Sequence, residues 1–131
     1  MTGLIWFVQI VHYPLMTAVG TAEGCAYERA HTRRTGFVVG PLMLVEAGTA
    51  IAISVVRPDS VPAPLGWAGL ALLGVIWLST AAVQVPCHRH LERSFDHAVI
   101  RRLVRTNWLR TAAWTMRAAV AVAMLMPGLE V

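Results

Sequence analysis

The sequence predicts an all-α integral membrane protein: a four-helix bundle with a cytoplasmic amphipathic helical extension between the third and fourth spans. Three observations point there. Of 131 residues, 56% are hydrophobic and only 14% charged, and the mean hydropathy is +0.59. That is membrane composition rather than the composition of a soluble domain or a disordered tail. Four apolar runs, about residues 3–22, 35–56, 65–86 and 106–126, each approach the roughly 20 residues that cross a hydrocarbon core about 30 Å thick. The cations, finally, are segregated. All eleven basic residues are arginines. Arg29, Arg33 and Arg34 lie between the first two runs, and Arg89, Arg93, Arg101, Arg102, Arg105 and Arg110 lie between or at the edge of the last two. Arg57, beside Asp59, is alone on the opposite side. The positive-inside rule then puts both basic loops in the cytoplasm and both termini outside. One domain, residues 1–131, accounts for the chain.

The net charge of +4 follows from this orientation and from contact with anionic headgroups. No aromatic interleaving or groove-reading motif accompanies the arginines, so nucleic acid is not an expected partner. The lipid bilayer is.

The first run competes with a secretory signal, because Gly20, Thr21 and Ala22 are small enough for a cleavage site. A positive n-region is missing, and the embedded Gln9, His12 and Tyr13 suit a retained helix. A short helical segment around Cys25 to Arg34 then places Tyr27 and His31 on one face, four residues apart. The second run carries Glu46 near its middle. Arg57 to Pro64 holds three prolines, which remove donors and preset φ, and reads as an outer loop between two helical pairs. In the third run Thr80, Gln84 and His88 repeat every four residues and share a helical face. From Arg89 to Arg105, Leu91, Phe95, Ala98, Val99 and Leu103 recur at helical spacing with arginines opposite, which is the amphipathic extension. In the fourth run Asn107, Arg110, Trp114 and Arg117 recur at three- and four-residue steps.

Pro14, Pro41 and Pro86 deprive the carbonyls of Ile10, Phe37 and Ala82 of their helical partners. In lipid those groups need substitutes. Either the prolines are kinks that improve packing, or Pro14 and Pro86 open backbone beside His12 and Gln84 to line a polar cavity. Trp6, Trp67, Trp77 and Trp108 read as packing or interface residues, whereas Trp114 is placed to flank a flat ligand.

A charged side chain at the bilayer centre costs about 2.5–3.5 kcal/mol by insertion scales and normally turns inward, pairs, and marks a site. Counting about 1.5 Å per residue from the cytoplasmic end places His12, Glu46 and Arg117 at a common depth of roughly 15 Å. They form the expected catalytic group: Arg117 offers a bidentate fork to Glu46, and His12 exchanges protons near neutral pH. The competing reading is an ion pair that fastens the second and fourth helices. Gln84, His88, Asn107, Arg110 and Trp114 are the expected substrate-binding residues, two polar stripes leading from the basic surface to the midplane.

Five histidines raise the question of a transition metal. In Cys87-His88-Arg89-His90 the two imidazoles diverge by about 200° on a helix, and no chelating motif is present. A site assembled across helices from His12, His31, Glu46 and His88 is the remaining metal alternative, since imidazole and carboxylate suit iron, copper or zinc. Cys25 and Cys87 both belong near the cytoplasmic boundary, where thiols stay reduced.

Pro86-x-His88-x-x-Leu91 at the end of a hydrophobic helix, followed by a charged amphipathic segment and then Trp108-x-Arg110 and Trp114-x-x-Arg117, resembles the anthrone-oxygenase-like family of small four-helix membrane proteins. Tyr27-Glu28-Arg29-Ala30-His31-Thr32-Arg33-Arg34, leading to Pro41-Leu42-Met43-Leu44-Val45-Glu46, is similar to uncharacterised bacterial membrane proteins of this size. In the family, asparagine is common where His88 stands here. The resemblance implies a bacterial inner-membrane protein that oxygenates a lipophilic, electron-rich polycyclic phenol or quinone-like compound without a flavin or haem motif. His12 or Glu46 would remove an acidic C–H proton, and Arg117 or Asn107 would stabilise the enolate. Two other classes compete with this oxidoreductase reading. One is a non-catalytic membrane module binding a lipid, a metal or a partner subunit. The other is a transporter, which with four helices per protomer would require a homo-oligomer.

Overall fold

The computed structural model describes residues 1–59 and 61–126. Among them there is no strand, and the chain runs in four helical lengths. The first, α1 (residues 2–18), joins Thr2–Phe7, Val8–His12, Tyr13–Leu15 and Met16–Ala18 end to end. The others are α2, Thr21–Val56, α3, Ala63–Leu91, and α4, His97–Leu125.

Each turn has a local cause. Val19 and Gly20 adopt extended backbone and release the chain from α1 into α2. At the far end of α2, Arg57 takes the left-handed conformation (φ 46°) and closes the helix ahead of Pro58, as a C-terminal residue with positive φ does. Pro64 lies in the first turn of α3, where its missing N–H would have had no helical acceptor. The Asp96 carboxylate accepts a hydrogen bond of 2.7 Å from the amide of Ala98 and caps α4.

Two expectations about the arginine-rich segments are corrected. The amphipathic residues 89–105 do not form a separate extension. Helix α3 ends at Leu91, the chain turns over residues 92–96, and the Asp96 cap starts α4, so 97–105 are simply its first turns. The predicted short helix around Cys25–Arg34 is likewise continuous with the second run, which makes α2 36 residues long, or about 54 Å.

Helices α2 and α3 are long and apolar enough to cross a membrane, and their most apolar windows are only 17% and 28% buried. Phe37, Val55 and Leu78 are exposed by 76%, 75% and 71%. A core helix of a water-soluble protein turns such side chains inward; here they face out, which suits lipid.

Close packing runs chiefly between α3 and α4, with α1 laid against α4 and α2 held at short range chiefly by α3. Small residues allow the approach: Gly69 of α3 faces Arg117 and Val120 of α4, and Gly66 faces Ser54 of α2. This is how helices associate where lipid supplies no hydrophobic drive between them. Near the basic end, Tyr13, Met16, Cys87, Leu91, Ile100 and Leu103 form one apolar core; Ile5, Met43, Ile76, Ala113 and Trp114 form a second, further along the helices. Arg29 and Thr32 of α2 hydrogen-bond Glu92, which ties the start of α2 to the turn after α3 and brings the arginine-rich segments to one end.

Candidate functional site

Two prolines shape the local geometry of the site. Without an amide hydrogen a proline leaves a carbonyl one turn back unpaired, and a helix relieves this by widening that turn. The turns before Pro14 and Pro86, Val8–His12 and Thr80–Gln84, are both π-helical. A π turn holds about one residue more than an α turn and so rotates the remainder of the helix by roughly 100°. Pro41, by contrast, sits inside an uninterrupted α2.

The two widened turns flank a cluster built from α1, α2 and α3. The Glu28 carboxylate of α2, fully buried, accepts a short hydrogen bond from Nδ1 of His88. With the proton held on Nδ1, Nε2 is the acceptor, and the Tyr13 hydroxyl donates to it at 3.1 Å. Tyr13, His88 and Glu28 thus form a continuous hydrogen-bonded line. His31 lies beside it, its ring 5.6 Å from that of His88 and stacked on His12 at 4.3 Å. Its Nδ1 is 3.1 Å from the Thr35 hydroxyl, and the Tyr27 ring lies nearly parallel to it at 6.4 Å.

This line borders a cavity of about 420 Å³, within the usual size range of small-molecule sites. Tyr13, His31, His88, Gln84 and Arg110 give it a polar lining, and Ile5, Val8, Val39 and Gly40 an apolar one. Among the described residues, four side chains carry a buried polar atom with no hydrogen-bond partner: His12 Nε2, Glu28 Oε2, Gln84 Oε1 and Arg110 Nε. Gln84 and Arg110 line the cavity, and the other two belong to the histidine cluster. Buried polar groups are nearly always satisfied, so their concentration here marks the cavity as a place built for polar contact.

Arg110 is 6% exposed. One of its terminal nitrogens donates to Asn107 Oδ1 at 3.0 Å, and its guanidinium stands 5.1 Å from the centre of the Trp114 ring. No carboxylate neutralises it: among the described residues Glu28 is engaged by His88 and Glu46 by Arg117. Asn107 in turn donates to Gln9 Oε1 at 2.9 Å, and Gln9 Nε2 donates to the Val104 carbonyl at 3.2 Å. Gln84 Nε2 donates to Thr106.

The expected meeting of His12, Glu46 and Arg117 does not occur. Glu46 and Arg117 do pair, at 3.2 Å, and the indole of Trp114 donates to the other Glu46 oxygen at 2.8 Å while Arg117 also reaches the Gly69 carbonyl. His12 is elsewhere, against His31. Helix α1 ends at Ala18, earlier than the predicted run, which draws His12 toward the basic end. Glu46 follows His31 by fifteen residues on α2, about 22 Å along the axis.

The metal alternative is corrected in the same way. His12, His31 and His88 gather, but Glu46 is absent and the carboxylate present is Glu28. His12 and His31 present ring faces to each other instead of converging lone pairs. Among the described residues no group of three or more His, Cys, Asp or Glu side chains is arranged to hold a metal ion.

Of the expected substrate-binding residues, Gln84, His88 and Arg110 line the cavity, whereas Asn107 and Trp114 hold Arg110 from behind. Sequence reasoning missed Glu28, Tyr13 and Gln9 as site residues. For Glu28 a signal existed: it precedes His31 by three residues and shares its helical face.

Comparison with known proteins gives no match to a family model, a curated protein or a solved structure.

Proposed function

We propose that this is a four-span protein of the bacterial inner membrane, with the arginine-rich ends of its helices in the cytoplasm. We propose further that its cavity performs acid–base chemistry on a lipophilic, enolisable aromatic compound of the anthrone type, which it oxygenates with dioxygen. The observation that carries this reading is the Tyr13–His88–Glu28 line opening on an apolar-walled cavity that also holds an unneutralised guanidinium.

The roles follow from the geometry. A C–H acid seated beside Tyr13 gives its proton to the Tyr13 oxygen as that hydroxyl passes its own proton to His88 Nε2. The Glu28 carboxylate on Nδ1 stabilises the imidazolium that forms, the orienting role such a carboxylate plays for a general base. Arg110 stands by the enolate oxygen, in a setting where water is scarce and a fixed cation has its largest effect. The carbanion then gives its electrons to dioxygen and a C–O bond forms. Loss of water from the hydroperoxide leaves a carbonyl, so one CH₂ group and one O₂ become one C=O and one H₂O. The Glu46–Arg117 pair, joined to Trp114 and Gly69, fastens α2 to α3 and α4 and takes no part in the reaction.

The test is simultaneous measurement of dioxygen consumption and anthraquinone formation by the full chain in lipid nanodiscs supplied with anthrone. The two proceed one to one in the parent, and Tyr13→Phe, which keeps the ring but removes the relaying hydroxyl, lowers both by about 100-fold. An unchanged rate in a correctly folded Tyr13→Phe protein would refute the relay.

A further inference from the structure

We infer that the natural ligand of the cavity is an amphiphilic organic anion that enters sideways from the lipid, its acidic oxygen meeting Arg110 and its hydrocarbon part lying along Gly36 and Gly40. This names the substrate class and rests on the proposed acid–base chemistry only for what happens after binding.

The charge of the ligand follows from Arg110. A guanidinium does not shed its proton in a protein, and an unpaired buried charge is among the most costly features a fold can carry. Arg110 is 94% buried, taking its 6% exposure, its Nε has no partner, and no carboxylate accompanies it among the described residues. The cavity it faces is the place from which a neutralising oxygen can approach. Phenolate, enolate and carboxylate heads share that chemistry.

The route and the tail follow from helix packing. Helix α2 packs at short range chiefly on α3, and α1 on α4, so a seam runs between α1 and α2. Along that seam the cavity wall is Leu4, Ile5 and Val8 on one side and Gly36, Val39 and Gly40 on the other. A methyl group built at Gly36 or Gly40 meets nothing within 4 Å; the space in front of both is free. Phe7 and Phe37, each next in sequence to a wall residue, Val8 and Gly36, are exposed by 56% and 76%, as lipid-facing side chains are. From His31 to Gly40 the seam runs about 14 Å at 1.5 Å per residue, room for an aromatic head and a chain.

Binding is measured by the quenching of tryptophan fluorescence in nanodiscs of zwitterionic lipid, with 2-hydroxy-1,4-naphthoquinone and its 3-decyl derivative as probes, corrected for partition into empty nanodiscs. The decyl compound binds at least tenfold tighter than the parent quinone. Gly36→Leu with Gly40→Leu weakens the decyl compound at least tenfold and the parent quinone no more than twofold. The double variant keeps its thermal midpoint, because leucine is a better helix former than glycine. Arg110→Gln weakens both compounds at least tenfold, and Arg110→Lys restores most of the loss. Decyl binding untouched by the two leucines, equal binding of the two quinones, or Arg110→Gln without effect would each overturn the inference. If the leucines do nothing while Tyr13→Phe abolishes turnover, the lateral route fails and the proton relay stands. If the binding pattern holds while Tyr13→Phe turns over normally, the relay fails and the lateral route stands.

Discussion

His88→Ala lowers turnover of anthrone by about 10²- to 10⁴-fold, the range general acid–base catalysis supplies, and Glu28→Gln by less. Among the described residues, His88 is the imidazole joined on both sides: Nδ1 to Glu28 and Nε2 to Tyr13. Its removal leaves the Tyr13 hydroxyl with no acceptor for its proton and the Glu28 carboxylate, at 0% exposure, without its hydrogen-bond donor. Glu28→Gln keeps a side chain of the same shape. It removes the charge that stabilises the imidazolium, so the proton transfer slows while the cavity keeps its shape. Added imidazole partly restores the His88→Ala protein, and the solvent isotope effect on turnover rises when Glu28 is replaced, because proton transfer is then more fully rate-limiting. A His88→Ala protein that folds, inserts and turns over at the parental rate would remove the relay.

Glu46→Ala has the other large effect, and it is on stability. Loss of one member of a buried ion pair typically costs 3–5 kcal/mol, because the partner is left charged and unpaired. Here Arg117 keeps the Gly69 carbonyl but loses its counterion, and the Trp114 indole loses its acceptor. The pair is 14% and 20% exposed at its two side chains, so the expected loss is about 3 kcal/mol, near the lower limit of that range. Reversible unfolding in mixed micelles measures it. Glu46→Gln combined with Arg117→Gln is destabilised by less than the sum of the single changes, as a coupled pair requires. A pair that serves only to fasten helices leaves turnover per folded molecule intact in the double variant; a selective loss of turnover would return the pair to the catalytic group.

The sequence made the helices legible because the signals that set them are local: runs of apolar residues of spanning length, three prolines between residues 57 and 65, and the segregation of arginines. The two widened turns were legible only in part: Pro14 and Pro86 each remove a donor, but so does Pro41, and α2 runs through it uninterrupted. The identity of the carboxylate that meets His88 was not legible. Assigning depth by counting residues assumes straight helices that begin and end at the apolar boundaries. Helix α1 stops at Ala18 and carries a π turn, and α2 begins about fourteen residues before its apolar run. Those departures move His12 toward the basic end and leave Glu46 about 22 Å away along α2. Glu28 escaped because it lies in a segment rich in arginine, where a carboxylate reads as one more solvated charge. Only the packing of α2 on α3 shows Glu28 buried against His88. Gln9 and Asn107 illustrate the same limit: each is a neutral polar residue in an apolar helix, and their hydrogen bond across 98 positions of sequence cannot be read from either helix alone.

The central claim is that Tyr13, His88 and Glu28 move a proton to and from a lipophilic carbon acid. It is tested most directly without oxygen. Anthrone labelled with deuterium at its methylene carbon is held in anaerobic nanodiscs, and loss of the label to water is followed by NMR with the parent protein, with Tyr13→Phe and His88→Ala, and in empty discs. The proton relay predicts that the parent exchanges the label at least 100-fold faster than empty discs, with both variants close to the empty-disc rate. Exchange by the parent no faster than in empty discs, or equal rates in all three proteins, would contradict it.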